Sequence, residues 1–332
     1  MKDRLLRAAA RVALRPPFGS LFARSRRADI ERGLDPELAA LLGIQRLLRD
    51  PPLETMEPAA ARAHVENGFE PLEVPRVDMA SVTDTTVDGG TGPISVRVFV
   101  PHGAGPHRIV YFHGGGGVIG SIRGSEPFTR LLAAQTGCTV ASVDYRLGPE
   151  HKNPAAIHDA VSAWTALAQE APSDARIAVA GDSFGGFLAA HVDHTAARPP
   201  DLQVLIYPMV DLTMSSASID RHADGFLLTR SMMLWFRSHY LHATDDQRAF
   251  SPAFWPALDR AAPAIVATAG FDPLVDEGDH HAARLSAAGV PVRHRRHASL
   301  IHGFISLGGV SRAARTAIDE LCQDIVELLP SR

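Results

Sequence analysis

The sequence predicts an α/β fold, a mostly parallel central sheet flanked by helices and covered by a helical cap, and three observations carry that prediction. Apolar runs of strand length at 138–144, 176–180, 202–208 and 264–270 alternate with helical stretches at 128–137, 154–171 and 275–288, the order that builds parallel strands joined by right-handed crossovers. The runs are almost continuously apolar, as strands covered on both faces must be. One stretch, about 211–257, breaks the alternation while holding Phe226, Met232, Trp235, Phe236 and Tyr240. So much apolar and aromatic content outside the sheet pattern reads as a helical insertion folded over a cleft, with ordinary packing on the sheet edge as the alternative.

Along the chain, Arg4, Arg7, Arg11 and Arg15 line one side of an N-terminal helix that Pro16 and Pro17 end. The arginines interrupt every apolar run a signal peptide would need. The segment reads as a surface helix of the cap, with weak contact to a membrane surface as the alternative. Helices follow at 36–49 and from Pro58 to about Asn67. The sheet begins after Val74: residues 94–100 alternate apolar and polar with a period of two, and 108–112 form a strand with less alternation. Beyond 270 come a strand at 292–296 and a last helix over about 310–329.

Composition narrows the function. With 332 residues and 45% apolar content there is material for one large core or two smaller ones. A net charge of −4 and a charged fraction of 21% give no sign of a nucleic-acid binder. Cys138 and Cys322 stand alone in apolar segments, which fits a reducing, cytoplasmic setting rather than a disulfide framework. No apolar run approaches the length of a membrane-spanning helix. The close pairs His191/His194, His239/His242 and His280/His281 lack metal-ligand spelling, so neither metal nor cofactor is expected.

The chemistry gathers around Gly181-Asp182-Ser183-Phe184-Gly185-Gly186, between the 176–180 strand and a helical run. A serine on a strand-to-helix turn with flanking glycines is the nucleophile elbow: the turn is too tight for neighbouring Cβ atoms, and it projects the hydroxyl into a cleft before a helix N-terminus. His113-Gly114-Gly115-Gly116-Gly117 follows the 108–112 strand, and such a loop lets backbone N–H groups converge on an oxyanion. Asp272 sits at the carboxyl end of the 264–270 strand, the rim where such sheets bind ligands. His302 lies in the loop before the last helix. The order serine, aspartate, histidine is that of α/β hydrolases. Asp276, Glu277 and Asp279 compete for the acid's role but fall in the following helix, and His297 competes with His302 but lies in a strand without the neighbouring glycine.

These residues resemble the bacterial hormone-sensitive-lipase-like esterases of the α/β-hydrolase superfamily. The resemblance rests on His113-Gly114-Gly115-Gly116, Asp144-Tyr145-Arg146-Leu147 with Pro149-Glu150, Gly181-Asp182-Ser183 with Gly185-Gly186, Tyr207-Pro208, Asp272-Pro273-Leu274 with Asp276-Glu277-Gly278, and His302-Gly303-Phe304. It implies an α/β-hydrolase fold, with residues 1–70 as one part of a cap and 71–332 as a catalytic domain carrying the rest of the cap at 211–257. It also implies hydrolysis of small carboxylic esters with short or medium acyl chains by Ser183, Asp272 and His302. Gly115, Gly116 and Phe184 would give the oxyanion N–H groups, supported by His113, Gly114, Asp182 and Glu277. An amidase, a lactone hydrolase or a non-catalytic receptor are the alternatives on the same fold, and a homodimer is compatible with the resemblance. Phe184 stands where the family usually has alanine and Gly117 where an aromatic is common, which predicts a crowded acyl pocket or cap and a more open entrance. Asp144, Arg146 and Glu150 read as a buried polar brace.

Overall fold

In the computed structural model, residues 18–48 and 51–329 are described. The segment with Arg4, Arg7, Arg11 and Arg15, predicted as a basic helix, lies outside them. The described residues open with α1 (Phe18–Ala23), α2 (Arg27–Glu31), α3 (Pro36–Leu48) and α4 (Pro58–Phe69). Eight strands then form one sheet: β1 (Ser81–Asp88), β2 (Pro93–Val100), β3 (Arg108–Phe112), β4 (Thr139–Asp144), β5 (Ile177–Asp182), β6 (Leu202–Ile206), β7 (Ala264–Phe271) and β8 (Val292–Ile301). Their spatial order is β1-β2-β4-β3-β5-β6-β7-β8, with β2 antiparallel to both neighbours and every other pair parallel. The crossovers are α5 (Ile122–Thr136), α6 (Ala155–Gln169), α7 (Phe184–Thr195) and α10 (Val275–Ala287), and α11 (Arg312–Leu328) is the last described helix.

Side chains alternate across each strand, so the sheet has a core on either side. On β3, Phe112 joins the cluster with Trp164, Phe187 and Leu205, while Tyr111 joins the one with Phe128, Phe304 and Ile318. The N-terminal helices are fixed to the far end of the chain. The Asp35 N–H donates to the Ser299 carbonyl at 3.0 Å, Ser311 Oγ donates to Asp35 at 3.2 Å, and the Arg312 N–H donates to Glu37 at 2.8 Å.

Four features depart from the sequence reading. Strand β1 is an addition: it exposes every residue but Val87 and so carries no apolar alternation to detect. Helix α5 begins six residues before the predicted 128, where Ser121 Oγ accepts the Gly124 N–H at 3.0 Å as an N-cap, and it runs through Pro127. Strand β8 continues past 296 to Ile301. In the part predicted, Arg293 and Arg295 both pair with the buried Asp324 of α11. The brace is wired differently as well. Asp144 and Glu150 are exposed; Arg146 makes its bidentate pair with the buried Asp159, at 2.7 and 2.8 Å. Glu150 instead accepts from Arg62 of α4 at 2.7 and 2.9 Å, and that hydrogen bond draws its carboxyl down to about 2.

Burial of histidines gives the fold a pH dependence. His191 and His281 lie in the core, where loss of hydration pushes each down to about 4; the Asp193 carboxyl is pushed up to about 6 by the same cause. A lowered histidine contributes stability that is complete above its unfolded value of 6.5 and is lost on acidification towards 4. A raised carboxyl has the opposite sign and partly offsets this between pH 6 and 4. In urea melts at pH 7 and 5, His281→Gln is expected to shrink the acid-induced loss by about 2 kcal/mol. Asp193→Asn should enlarge it, and equal slopes in all three proteins would contradict the assignment.

Candidate active site

Strand register assembles the site. Phe112 of β3 pairs with Gly181 of β5, so the glycine loop leaving β3 lies beside the turn that leaves β5. At the other side, Phe271 of β7 pairs with Ile301 of β8, which sets Asp272 and His302, the next residue of each strand, side by side. That pairing depends on a register shift, because Ala269 faces His297 two positions earlier on β7 and four earlier on β8. Gly270 permits the shift: a Cβ there would run into the Ala298 backbone. His297, the rejected competitor, stays in the strand and faces Glu320 at 3.9 Å.

Ser183 has φ 53° and ψ −116°, a strained conformation for a residue with a Cβ, and it immediately precedes α7. Its N–H donates to the Ile206 carbonyl at 2.8 Å and its carbonyl accepts the Met209 N–H at 3.1 Å, so the turn is held from β6. The glycines are sterically required: a Cβ on Gly185 would strike the Phe112 carbonyl, and one on Gly181 the Gly185 carbonyl. Ser183 Oγ lies 3.0 Å from His302 Nε2, and His302 Nδ1 lies 2.7 Å from Asp272 Oδ2. Asp272 is fully buried, and its other oxygen accepts the Leu274 N–H at 2.8 Å. The structure thus brings together the serine, histidine and aspartate singled out above. The competing carboxylates point elsewhere: Asp276 pairs with Arg221 at 2.6 Å, and Asp279 with Arg296 at 2.9 Å.

The residues named as supports hold the backbone around this chain. Asp182 accepts the Gly114 N–H at 2.8 Å and the Tyr111 hydroxyl at 2.5 Å, tying the glycine loop to the elbow; burial raises its carboxyl. His113 Nδ1 lies 2.8 Å from the Gly114 carbonyl, its ring stacked on Tyr145. Glu277 accepts the N–H groups of Val210 and Asp211 at 2.7 and 3.1 Å, and burial holds its carboxyl well above the ordinary range. Gly115 and Gly116 have φ of 124° and 60°, and they border the same cavity as Ser183 and His302. The Gly115 carbonyl, by contrast, is engaged by Val118 and Ile119.

That cavity measures about 1130 Å³. Besides Ser183, His302 and the glycine loop, its walls come largely from residues 41–72 and 209–240, so the N-terminal helices and the 211–257 insertion both face it. The insertion contains α8 (Ala217–Arg221) and α9 (Arg230–Tyr240), joined largely by loops. Phe236 of α9 covers Gly116 so closely that a Cβ would collide with its ring. Phe184 corrects the crowded-pocket expectation in part. Its ring is fully buried against Tyr145, Phe187 and Tyr240 and is not a wall of the cavity. It does bear on the insertion, since Tyr240 is such a wall. Gly117 opens no entrance either: a Cβ there would lie 2.8 Å from both Phe184 and Tyr240, so the missing side chain makes room for those rings.

Two contributors have no site role in the sequence reading. Tyr207, with φ 33°, packs its ring 4.7 Å from that of His302 and fixes the imidazole's face. Arg62 donates to the Val118 and Gly148 carbonyls, both at 2.8 Å, as well as to Glu150, and so anchors α4 to the loop that follows the glycines. Tyr207 stood in a recognisable dipeptide; nothing in the local sequence marks Arg62, whose partners lie 56 to 88 residues away.

Residues 109–306 match the family described as alpha/beta hydrolase fold. The chain is 38% identical over 307 residues to the carboxylic ester hydrolase LipN of Mycobacterium tuberculosis, covering 87% of this chain and 81% of that one. It is 33% identical over 318 residues to an ethyl acetate hydrolase of Pseudomonas putida, covering 89% and 98%. Among solved structures it is similar to the ester hydrolase EH1AB1 from the metagenome of Lake Arreo, with a TM-score of 0.83, 34% identity and coverage of 89% and 98%.

Proposed function

The chain belongs to the hormone-sensitive-lipase-like esterases of the α/β-hydrolase family and is a serine-type carboxylic-ester hydrolase, and from that premise we propose that Ser183, His302 and Asp272 carry the reaction. One observation supports the assignment most: an unbroken hydrogen-bonded chain runs from buried Asp272 through His302 to a serine hydroxyl that opens on a large cavity. In the first step His302 Nε2 accepts the Ser183 proton while Oγ bonds to the ester carbonyl carbon. The carbonyl π electrons pass to its oxygen, which the N–H groups of Gly115, Gly116 and Phe184 receive. The tetrahedral species collapses, His302 gives its proton to the departing alcohol oxygen, and an acyl-Ser183 ester is left. Water then repeats the sequence, releasing the acid and restoring the serine. Asp272 holds Nδ1–H throughout and stabilises the imidazolium.

Residues 1–70 and 211–257 we read as two parts of a cap over this site, a reading supported by the shared cavity wall from 41–72 and 209–240. The substrates are small carboxylic esters, and we assign the acyl half to short and medium chains. Hydrolysis of p-nitrophenyl esters from acetyl to palmitoyl tests this: turnover is expected to peak among the short and medium members and fall away at palmitoyl. A maximum at palmitoyl, or no turnover by folded protein, would reject the assignment.

A further inference from the structure

The cavity is larger than a short acyl chain requires. At about 1130 Å³ it exceeds the usual range for sites that enclose a drug-sized ligand, roughly 300–1,000 Å³. Methionine is concentrated in one part of its wall. The N-terminal side presents branched side chains, Leu41, Leu42, Ile44 and Leu53 among them. Residues 209–240 contribute Met209, Met214, Met232 and Met233, four of the seven methionines in the sequence, beside Leu212, Leu227 and Leu228. Thioethers are unbranched, polarisable and able to repack, and their sulfur makes favourable contacts with aromatic ring edges.

Placement of Met214 is built rather than incidental. It has φ 58°, a conformation that costs energy for a residue with a Cβ. The turn around it is held by the buried Asp211, whose carboxylate accepts the N–H and hydroxyl of Thr213 at 2.8 and 2.5 Å and those of Ser215 at 3.0 and 2.6 Å. The Asp211 N–H is in turn held by Glu277. On α9, Met232, Met233 and Phe236 reach the cavity from one helix face, with Phe236 against Gly116 of the glycine loop. The methionine wall therefore begins next to the reacting centre.

We propose that this wall binds a ring-bearing apolar group on one half of the ester, and that Met214, Met232 and Met233 determine the preference for it. The inference rests on the esterase reading and adds the class of substrate. Two esters compared with ethyl acetate separate the two sources of such a group: ethyl phenylacetate carries the ring on the acid half, benzyl acetate on the alcohol half. Released acid is titrated, and kcat/KM is expressed relative to ethyl acetate, in wild type and in Met214→Leu and Met232→Leu/Met233→Leu. The ring-bearing ester of one arm is expected to be favoured by wild type, and the leucine variants should lower that ratio by about tenfold, the scale on which small changes in an apolar pocket act. Ratios unchanged by every leucine variant, or preference for ethyl acetate in both arms, would overturn the proposal. Calorimetric binding of the same esters to Ser183→Ala reads the cavity without turnover. Tighter binding of a ring-bearing ester there supports the wall's role even if wild type hydrolyses nothing, which would count against the esterase reading alone; no preference in that binding overturns the proposal.

Discussion

Ser183→Ala is expected to lower kcat on p-nitrophenyl acetate by about a million-fold while leaving the thermal midpoint close to that of wild type, since a nucleophile removed from a serine–histidine pair costs an effect of that order. The fold should survive because alanine keeps the same Cβ in the same strained turn, and the contacts that hold the turn are backbone ones: Ser183 N–H to Ile206 and Ser183 C=O from Met209. Only the Oγ–Nε2 hydrogen bond at 3.0 Å disappears. Serine and histidine act as a unit, so Ser183→Ala/His302→Ala should be scarcely worse than either single variant. Retention of more than about a thousandth of wild-type kcat by purified Ser183→Ala would mean that another group attacks the ester, because the residual rate in such variants comes from binding and the oxyanion donors alone.

The parts of this site that sequence makes legible are those where local geometry dictates residue type. Gly181 and Gly185 must lack a side chain because backbone carbonyls occupy the space, and a strand-to-helix turn of that tightness leaves the spelling around Ser183 little freedom. Buried parallel strands announce themselves as apolar runs, and β4 to β7 are such runs. Asp272 and His302 were legible from their places at strand ends, yet what brings them together is the register shift around Gly270, a property of how β7 meets β8.

Edges and long-range partners were hidden. Strands β1 and β8 lie at the two ends of the sheet: β1 is exposed at every residue but Val87, and the arginines of β8 pair with Asp324 of α11 and Asp279 of α10, so apolar periodicity leaves β1 unmarked and the end of β8 undefined. A charge cluster close in sequence suggests a brace paired within itself, whereas Arg146 pairs with Asp159 and Glu150 with Arg62. Phe184 and Gly117 show the same limit in packing. Each departs from the family's usual residue, and read separately each suggests a change to the pocket. In three dimensions they are neighbours: ring volume lost at 117 is taken up from 184, and Tyr240 is packed against the result.

Asp272→Asn should lower kcat by about ten-thousand-fold with little change in stability, because the substitution reverses the direction of one hydrogen bond. Asp272 accepts two hydrogen bonds, one from the Leu274 N–H on Oδ1 and one from His302 Nδ1–H on Oδ2. An asparagine side chain offers one oxygen and one NH2. The Leu274 N–H is a fixed backbone donor within a buried turn, so the oxygen must face it, and the NH2 then faces His302. Imidazole answers by accepting at Nδ1 and carrying its proton on Nε2, the nitrogen that must take the proton from Ser183. The base is still present and correctly positioned, but in the wrong tautomer. Loss of the carboxylate also removes the charge that stabilises the imidazolium. Hydrolysis of p-nitrophenyl acetate by the variant, measured with a thermal melt to establish folding, distinguishes this from a merely structural role. A folded Asp272→Asn within about tenfold of wild-type kcat would show that His302 needs no acceptor at Nδ1, and the acid would then have to be sought elsewhere around the imidazole.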